Sequence, residues 1–256
     1  MHSFTAHAGV LSLTFLLAAC GGNEPSAGTS SSNATAQTMA INAEIAKQLP
    51  LDDQQDFADA TRGLIASQKP LQVKNADGKV LWDMEKYAFV EGAAPDSVNP
   101  SLWRQAKLNN IHGLFEVTPG IYQLRGFDLA NITLIQGKTG WILVDPLTTA
   151  PTARNALAFA REQLGDQKIS AIIFTHSHID HFGGIDGVLS DSEREQLQVI
   201  APEGFMEEAS SENILAGPTM QRRAQYMYGS RLERSATGHV DTGLGKQPPF
   251  GGDIGI

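Results

Sequence analysis

The residues with the most evident chemical potential stand together at Thr175-His176-Ser177-His178-Ile179-Asp180-His181-Phe182-Gly183-Gly184. Three imidazoles and one carboxylate fall within positions 176–181. Neutral imidazole, carboxylate and water suit zinc or a similar borderline metal. Alternate residues of an extended chain share a face, so His176 and His178 can enter one pocket. Four ligands so close in sequence do not readily close around one tetrahedral ion. Two neighbouring ions sharing the cluster, about 3.5–4 Å apart, are the easier geometry. Such a pair brings the pKa of a shared water toward neutrality and makes hydroxide available as a nucleophile. Asp180 is placed to orient that water. A surface turn that merely holds histidines would account for one or two of these residues. It would not account for alternate histidines and then Asp-His directly after the apolar run 169–174.

The His-x-His-x-Asp-His pattern resembles the signature of the metallo-β-lactamase superfamily. Three later stretches are similar to its alkylsulfatase branch, the hydrolases of linear alkyl sulfates such as dodecyl sulfate. They are Gly204-Phe205-Met206-Glu207-Glu208, then Ser211-Glu212-Asn213-Ile214-Leu215-Ala216-Gly217-Pro218, then Arg222-Arg223-Ala224-Gln225-Tyr226-Met227-Tyr228-Gly229. The resemblance runs from about residue 41 to the end and is most specific over 111–250. It implies an αββα sandwich, of which this chain supplies the first half behind an N-terminal helical extension. It implies that His176 and His178 serve one zinc and that Asp180 and His181 serve the other. Imidazole ligands need an acceptor on their second nitrogen. Asp145 resembles the superfamily aspartate that braces this loop; the competing reading is a plain strand-end turn residue.

For an alkyl sulfate, the resemblance calls for groups that hold an anion and shelter a tail. Guanidinium forks suit sulfate, which makes Arg222, Arg223, Arg231 and Arg234 candidates, with a solvated charged face as the alternative. Asn213 is the neutral polar candidate. Met220, Tyr226, Met227 and Tyr228 line an apolar channel or belong to the core. His239 is a further candidate metal ligand, while His112 reads as structural. Two other functions keep the metal: hydrolysis of a β-lactam, lactone or thioester, and a catalytically incomplete metal-binding lipoprotein. Relatives of the alkylsulfatase branch continue through more acidic and histidine ligands and a helical dimerisation domain. The chain is therefore expected to be an N-terminal fragment or truncated product, weak in metal binding, poorly soluble and inactive alone. A homodimer is expected of the full-length form.

Composition sets the outer bounds. The 256 residues are 41% hydrophobic and 18% charged, with a formal net charge of −9. That balance argues against nucleic acid, which calls for basic patches, and leaves any attraction for an anionic substrate to local groups. The single cysteine, Cys20, excludes an intrachain disulfide. It follows the apolar run 10–19 in Leu17-Ala18-Ala19-Cys20, which resembles a bacterial lipoprotein processing site. Residues 1–19 are thus expected to be a signal peptide, Cys20 the lipidated N-terminus and 20–40 a flexible tether rich in Ser, Thr, Gly and Ala. The expected location is the periplasm, on a membrane surface.

Periodicity assigns the elements that must position the metal loop. Residues 41–110 read as an extension: a helix over 41–49, and a second one capped by Asp52 or Asp53 with Phe57, Ala60, Leu64 and Ile65 on one face. A strand over 79–82 and a helix from Ser101 or its neighbours through Trp103 and Leu108 complete it. The metallo-β-lactamase-like domain spans 111–256. Within it, 120–124 is a strand, and 131–135 with 140–144 a hairpin. A helix capped by Thr148 or Thr149 covers 151–164, 169–174 is a buried strand, a short helix begins near His181, and 198–201 is another strand. The alternation gives a mixed α/β fold.

Overall fold

Three consecutive antiparallel strands grow out of the apolar–polar alternation in the middle of the chain. In the computed structural model, which describes residues 34–190, 194 and 197–249, these are β5 (Ile121–Arg125), β6 (Ile132–Gln136) and β7 (Trp141–Val144). The predicted hairpin is present as β6–β7, with Thr133 opposite Val144 and Gln136 opposite Trp141. Ile132, Leu134, Trp141 and Leu143 point to one face and are fully buried. Burying one such aliphatic side chain contributes roughly 1.5–3 kcal/mol, so the two-residue period fixes which face meets the core. Cys20, the expected signal peptide and most of the expected tether lie outside the described residues.

The sheet then extends in both directions. On one side β4 (Gly113–Thr118) pairs antiparallel with β5, and β1 (Leu64–Ala66) pairs with β4. On the other side β8 (Ile169–Ile173) runs parallel to β7, and β9 (Gln198–Ile200) runs parallel to β8. The seven-stranded order is β1-β4-β5-β6-β7-β8-β9. Parallel neighbours need a crossover, and helix α4 (Ala150–Leu164) supplies it between β7 and β8. Thr149 caps it by accepting from the Thr152 N–H, and Pro151 sits in its first turn. Ala153, Ala156, Leu157 and Ala160 form its buried stripe and join the sheet residues in one core cluster. β2 (Gln72–Lys74) and β3 (Val80–Asp83) make a separate hairpin, whose Val73 and Trp82 enter the same cluster.

Several local expectations need correcting. Leu64 and Ile65 do not continue the second helix. Helix α2 (Gln55–Thr61) stops short of them, and they form β1, because Leu64 finds a ladder partner in Phe115. The N-cap of α2 is Gln54, which makes no side-chain cap bond; Asp53, one residue before it, accepts from the Gln55 N–H at 2.8 Å. Helix α1 (Ala36–Gln48) begins inside the stretch expected to be flexible, with Thr35 accepting from the Thr38 N–H. Helix α3 (Pro100–Leu108) starts beside Ser101, with Asn99 as its cap. Strand β4 had no expectation; its Glu116-Val117-Thr118 end is exposed and breaks the apolar pattern. Two further helices, α5 (Phe205–Ser210) and α6 (Gly217–Met227), follow β9.

Candidate metal centre

β7 and β8 run side by side and end at the same edge of the sheet, with Val144 opposite Ile173. Open α/β sheets place their ligand sites outside such carboxyl ends. The residues just past each strand are Asp145 and the loop that begins at Thr175. The Asp145 N–H still donates to Ile173 O at 3.0 Å. The chain then turns sharply, with φ of 56° at Asp145 and 66° at Leu147. Non-glycine residues rarely adopt positive φ, and strain of this kind collects at functional sites.

The turn aims the Asp145 carboxylate at the metal loop. Its Oδ1 accepts from the Thr175 N–H at 2.8 Å, and its Oδ2 accepts from Thr175 Oγ1 at 2.6 Å. The same Oδ2 accepts from His181 Nδ1 at 2.8 Å. Asp145 thus makes three hydrogen bonds to the loop, two to Thr175 and one to His181. The loop closes behind it: the Gly184 N–H donates to Leu147 O at 2.9 Å. A Cβ at Gly183 would lie 2.3 Å from Thr148 O, and one at Gly184 would lie 2.0 Å from Pro146 O. Only glycine lets the two backbones approach so closely.

These bonds settle which ring nitrogens face outward. The single hydroxyl proton of Thr175 goes to Asp145, so its oxygen accepts from His176 Nδ1 at 3.0 Å. His176 and His181 therefore both carry the proton on Nδ1 and present Nε2. The His176 ring lies 4.6 Å from that of His178 and 4.1 Å from that of His181, centroid to centroid. His181 Nε2 lies 3.4 Å from Asp180 Oδ2. His176 thus lies beside both His178 and His181, and His181 beside Asp180. Among the described residues no three His, Cys, Asp or Glu side chains close into one metal cage; the donors meet in pairs. Imidazoles with one nitrogen tied and one presented are the form that binds zinc, so the donor set fits the metal.

The electrostatics follow from the crowding. Burial works against the charge of His181, but hydrogen bonds to Asp145 and Asp180 and their negative charges outweigh it and raise its pKa to about 9. Burial also opposes ionisation of Asp180, and the hydrogen bond and charge of His181 overcome it and lower its pKa. His176 is lowered by burial and by the fields of His181 and His178. His181 thus holds a proton between two carboxylates, a position that a cation can take over.

The candidates for substrate contact are less assembled. Asn213 Nδ2 donates to Ala209 O at 2.8 Å, so its amide nitrogen serves the backbone. Arg222 folds back to Thr219 Oγ1 at 3.1 Å. Arg223 acts on the half-buried Tyr228: burial raises that phenol's pKa, Asp180 and Glu212 raise it further, and Arg223 lowers it. Tyr226 is 91% exposed and Met227 50%, so neither belongs to the core. An apolar cavity of about 90 Å³ lies beside the loop, lined by Phe174, Ile179, Phe182, Phe205 and Ile214 among others. His239 sits elsewhere, buried against Tyr87 with its Nδ1 3.1 Å from the phenol oxygen. His112 is structural, both ring nitrogens lying at carbonyl oxygens, of Asn110 and Gln68.

Two carboxylates escaped the sequence reading. Asp128 is buried below the Asp145 turn and accepts from Thr148 Oγ1 at 2.7 Å, Thr152 Oγ1 at 2.6 Å and the N–H groups of Leu129 and Thr148. It fastens the turn to the start of α4. Glu212 Oε2 approaches His178 Nε2 at 3.8 Å. Neither is close in sequence to the residue it serves, so no local spacing marks either one.

The sequence profile of the metallo-β-lactamase superfamily matches residues 125–192, the stretch that holds β6, β7, α4, β8 and the metal loop. Over 216 residues the chain is 51% identical to an (R)-specific secondary-alkylsulfatase of Pseudomonas sp, covering 83% of this chain and 32% of that protein. It is 46% identical over 217 residues to an alkyl/aryl-sulfatase of Saccharomyces cerevisiae, covering 84% of this chain and 34% of the relative. The solved structure of the stereoselective inverting sec-alkylsulfatase Pisa1 from Pseudomonas sp. superposes with a TM-score of 0.83 at 49% identity, over 88% of this chain and 36% of that one. The chain spans about a third of the length of the curated relatives it matches. With the braced His-x-His-x-Asp-His loop at the carboxyl edge of its sheet, the chain matches the metallo-β-lactamase superfamily over residues 125–192 and is similar to the N-terminal portion of alkylsulfatases.

Proposed function

We propose that the protein hydrolyses alkyl sulfate esters such as dodecyl sulfate to alcohol and sulfate, using a water activated by two zinc ions. The observation that carries this reading is the loop itself. Three imidazoles and Asp180 share one small volume, and Asp145 ties His181 and, through Thr175, His176. When bound, a zinc pair supplies the Lewis acidity that makes hydroxide available near neutral pH. His176 and His178 would hold one ion, Asp180 and His181 the other. Asp180 would also orient the water, and Asp145 would keep the ring orientation of His181 and, through Thr175, of His176. Arg223 is the candidate to hold sulfate, because Arg222 folds back onto Thr219. The apolar cavity that includes Ile179, the residue between His178 and Asp180, offers shelter for an alkyl tail.

The test is sulfate release from dodecyl sulfate, with and without a zinc chelator and in the His178→Ala variant. Release that disappears in both cases supports the reading. Hydrolysis of a β-lactam, lactone or thioester without sulfate release would replace it with the wider hydrolase reading. Metal uptake with no hydrolysis at all would mark a catalytically incomplete metal-binding protein. For location, the Leu17 to Cys20 site supports lipid anchoring at a periplasmic membrane face, which takes at least two acyl chains. Cys20→Ser should then release the protein from the membrane fraction.

A further inference from the structure

Two of the three imidazoles in the loop owe their tautomer to Asp145, directly or through Thr175. His178 is out of its reach. The acceptor nearest to it comes from a different part of the chain, the turn between α5 and α6. There the backbone widens into a single π-helical turn, Ser211–Leu215. Such turns recur at functional sites because the extra residue re-aims the side chains around it. Here Asn213 Nδ2 pins the turn to Ala209 O, and the Ala216 N–H closes it onto Ser211 O at 2.9 Å. Glu212 projects from the pinned turn, and its Oε2 comes to 3.8 Å from His178 Nε2. Its side chain is 30% exposed while that of His178 is 60% exposed. The carboxylate is therefore the better fixed of the two.

We propose that Glu212 is a positioning residue for His178: its carboxylate accepts from the Nε2–H and so fixes the orientation of the ring. This rests on the metal-dependent reading above. At 3.8 Å the contact is an ion-pair approach rather than a hydrogen bond. Such contacts tighten when a ligand binds, and the pair is expected to close to hydrogen-bond length with metal bound. Without Glu212, nothing else in the turn fixes the tautomer of this exposed ring.

The experiment uses the full chain and zinc or cobalt alone as probe. Affinity is read by chelator competition for each metal equivalent, and geometry by the visible spectrum of the cobalt form. In Glu212→Ala, one equivalent should weaken by about 10–100-fold with an altered cobalt spectrum, while the other stays within about threefold. Glu212→Gln, whose amide oxygen can still accept from Nε2, should recover most of the loss. Metal-free Glu212→Ala should melt within a few degrees of metal-free wild type. Unchanged affinity in Glu212→Ala overturns the proposal. So does an equal loss in Glu212→Gln, which would mean that charge or direct ligation matters rather than orientation. A large drop in the melting temperature with loss of both equivalents would make Glu212 merely structural and also overturns it. If wild type binds neither metal, the metal reading itself falls, a result separable from failure of Glu212 alone.

Discussion

Asp145 and His181 are joined at 2.8 Å, carboxylate Oδ2 to ring Nδ1, across the ends of two parallel strands. The bond sets the tautomer of His181 and leaves Nε2 for a metal. In Asp145→Asn, an amide NH2 placed against His181 would force the ring to accept at Nδ1 and carry its proton on Nε2. Metal affinity should then fall by about 10–100-fold, checked by chelator competition and by the ring nitrogen shifts of His181 in NMR. Asparagine tolerates the positive φ of 56°. Asp145→Ala adds roughly 1–2 kcal/mol of left-handed strain, so it should melt lower than Asp145→Asn as well as bind less metal.

The Asp128 carboxyl, buried beneath this turn, gives the fold a pH dependence of its own. Burial raises its pKa from 3.8 to about 6, against the opposing hydrogen bonds from Thr152 and Thr148. Between these values the folded chain holds the proton and the unfolded chain does not. The contribution is thus fully present below pH 4 and is lost as pH rises through 6, by an amount on the order of 3 kcal/mol. Each oxygen of Asp128 accepts from one backbone N–H, so Asp128→Asn must set its NH2 against a donor. That variant should be less stable by about 1–3 kcal/mol and should lack this pH slope. The check is denaturant unfolding of both metal-free proteins from pH 4 to 7; a stability difference that stays constant with pH would refute it.

Gly184 is a close-packing position whose replacement should disturb the metal loop. Its added Cβ would stand 2.0 Å from Pro146 O and 2.8 Å from Ala153 Cβ. Gly184→Ala should therefore cost about 1–3 kcal/mol and lower metal affinity, because the backbone that moves carries His181. Gly217→Ala, where nothing lies within 4 Å, should be neutral or slightly stabilising. Thermal melts and zinc titrations of the two variants make the comparison.

Lys246 and Asp241 form a buried ion pair at 2.9 Å, with side chains 1% and 0% exposed. Asn109 Nδ2 and the Gly243 N–H also donate to Asp241, and the Ala106 carbonyl also accepts from Lys246. Removing the carboxylate in Asp241→Ala leaves an uncompensated ammonium and should cost about 3–5 kcal/mol. The double variant Asp241→Leu with Lys246→Met should lose less than Asp241→Ala alone. A double variant that is the less stable of the two would show that the pair stabilises beyond its own desolvation.

What the sequence determined by itself is what depends on near neighbours. The metal loop was legible because its four donors occupy positions 176–181, where spacing alone sets direction. The β6–β7 hairpin, β8 and α4 were legible because their apolar periods of two and 3.6 residues are local quantities. What tertiary structure decided is which distant group completes each of these. Leu64 and Ile65 carry a pattern that fits helix or strand, and pairing with β4 made them a strand. The brace from Asp145 to His181 spans 36 positions, and the fastening of Asp128 to Thr152 spans 24. Glu212 meets His178 only because the chain returns past β9 into a widened helical turn. A hydrogen bond is worth something only when donor and acceptor are within about 3 Å. Over such separations, no spacing in the chain fixes that distance; the packing of the strands and helices does.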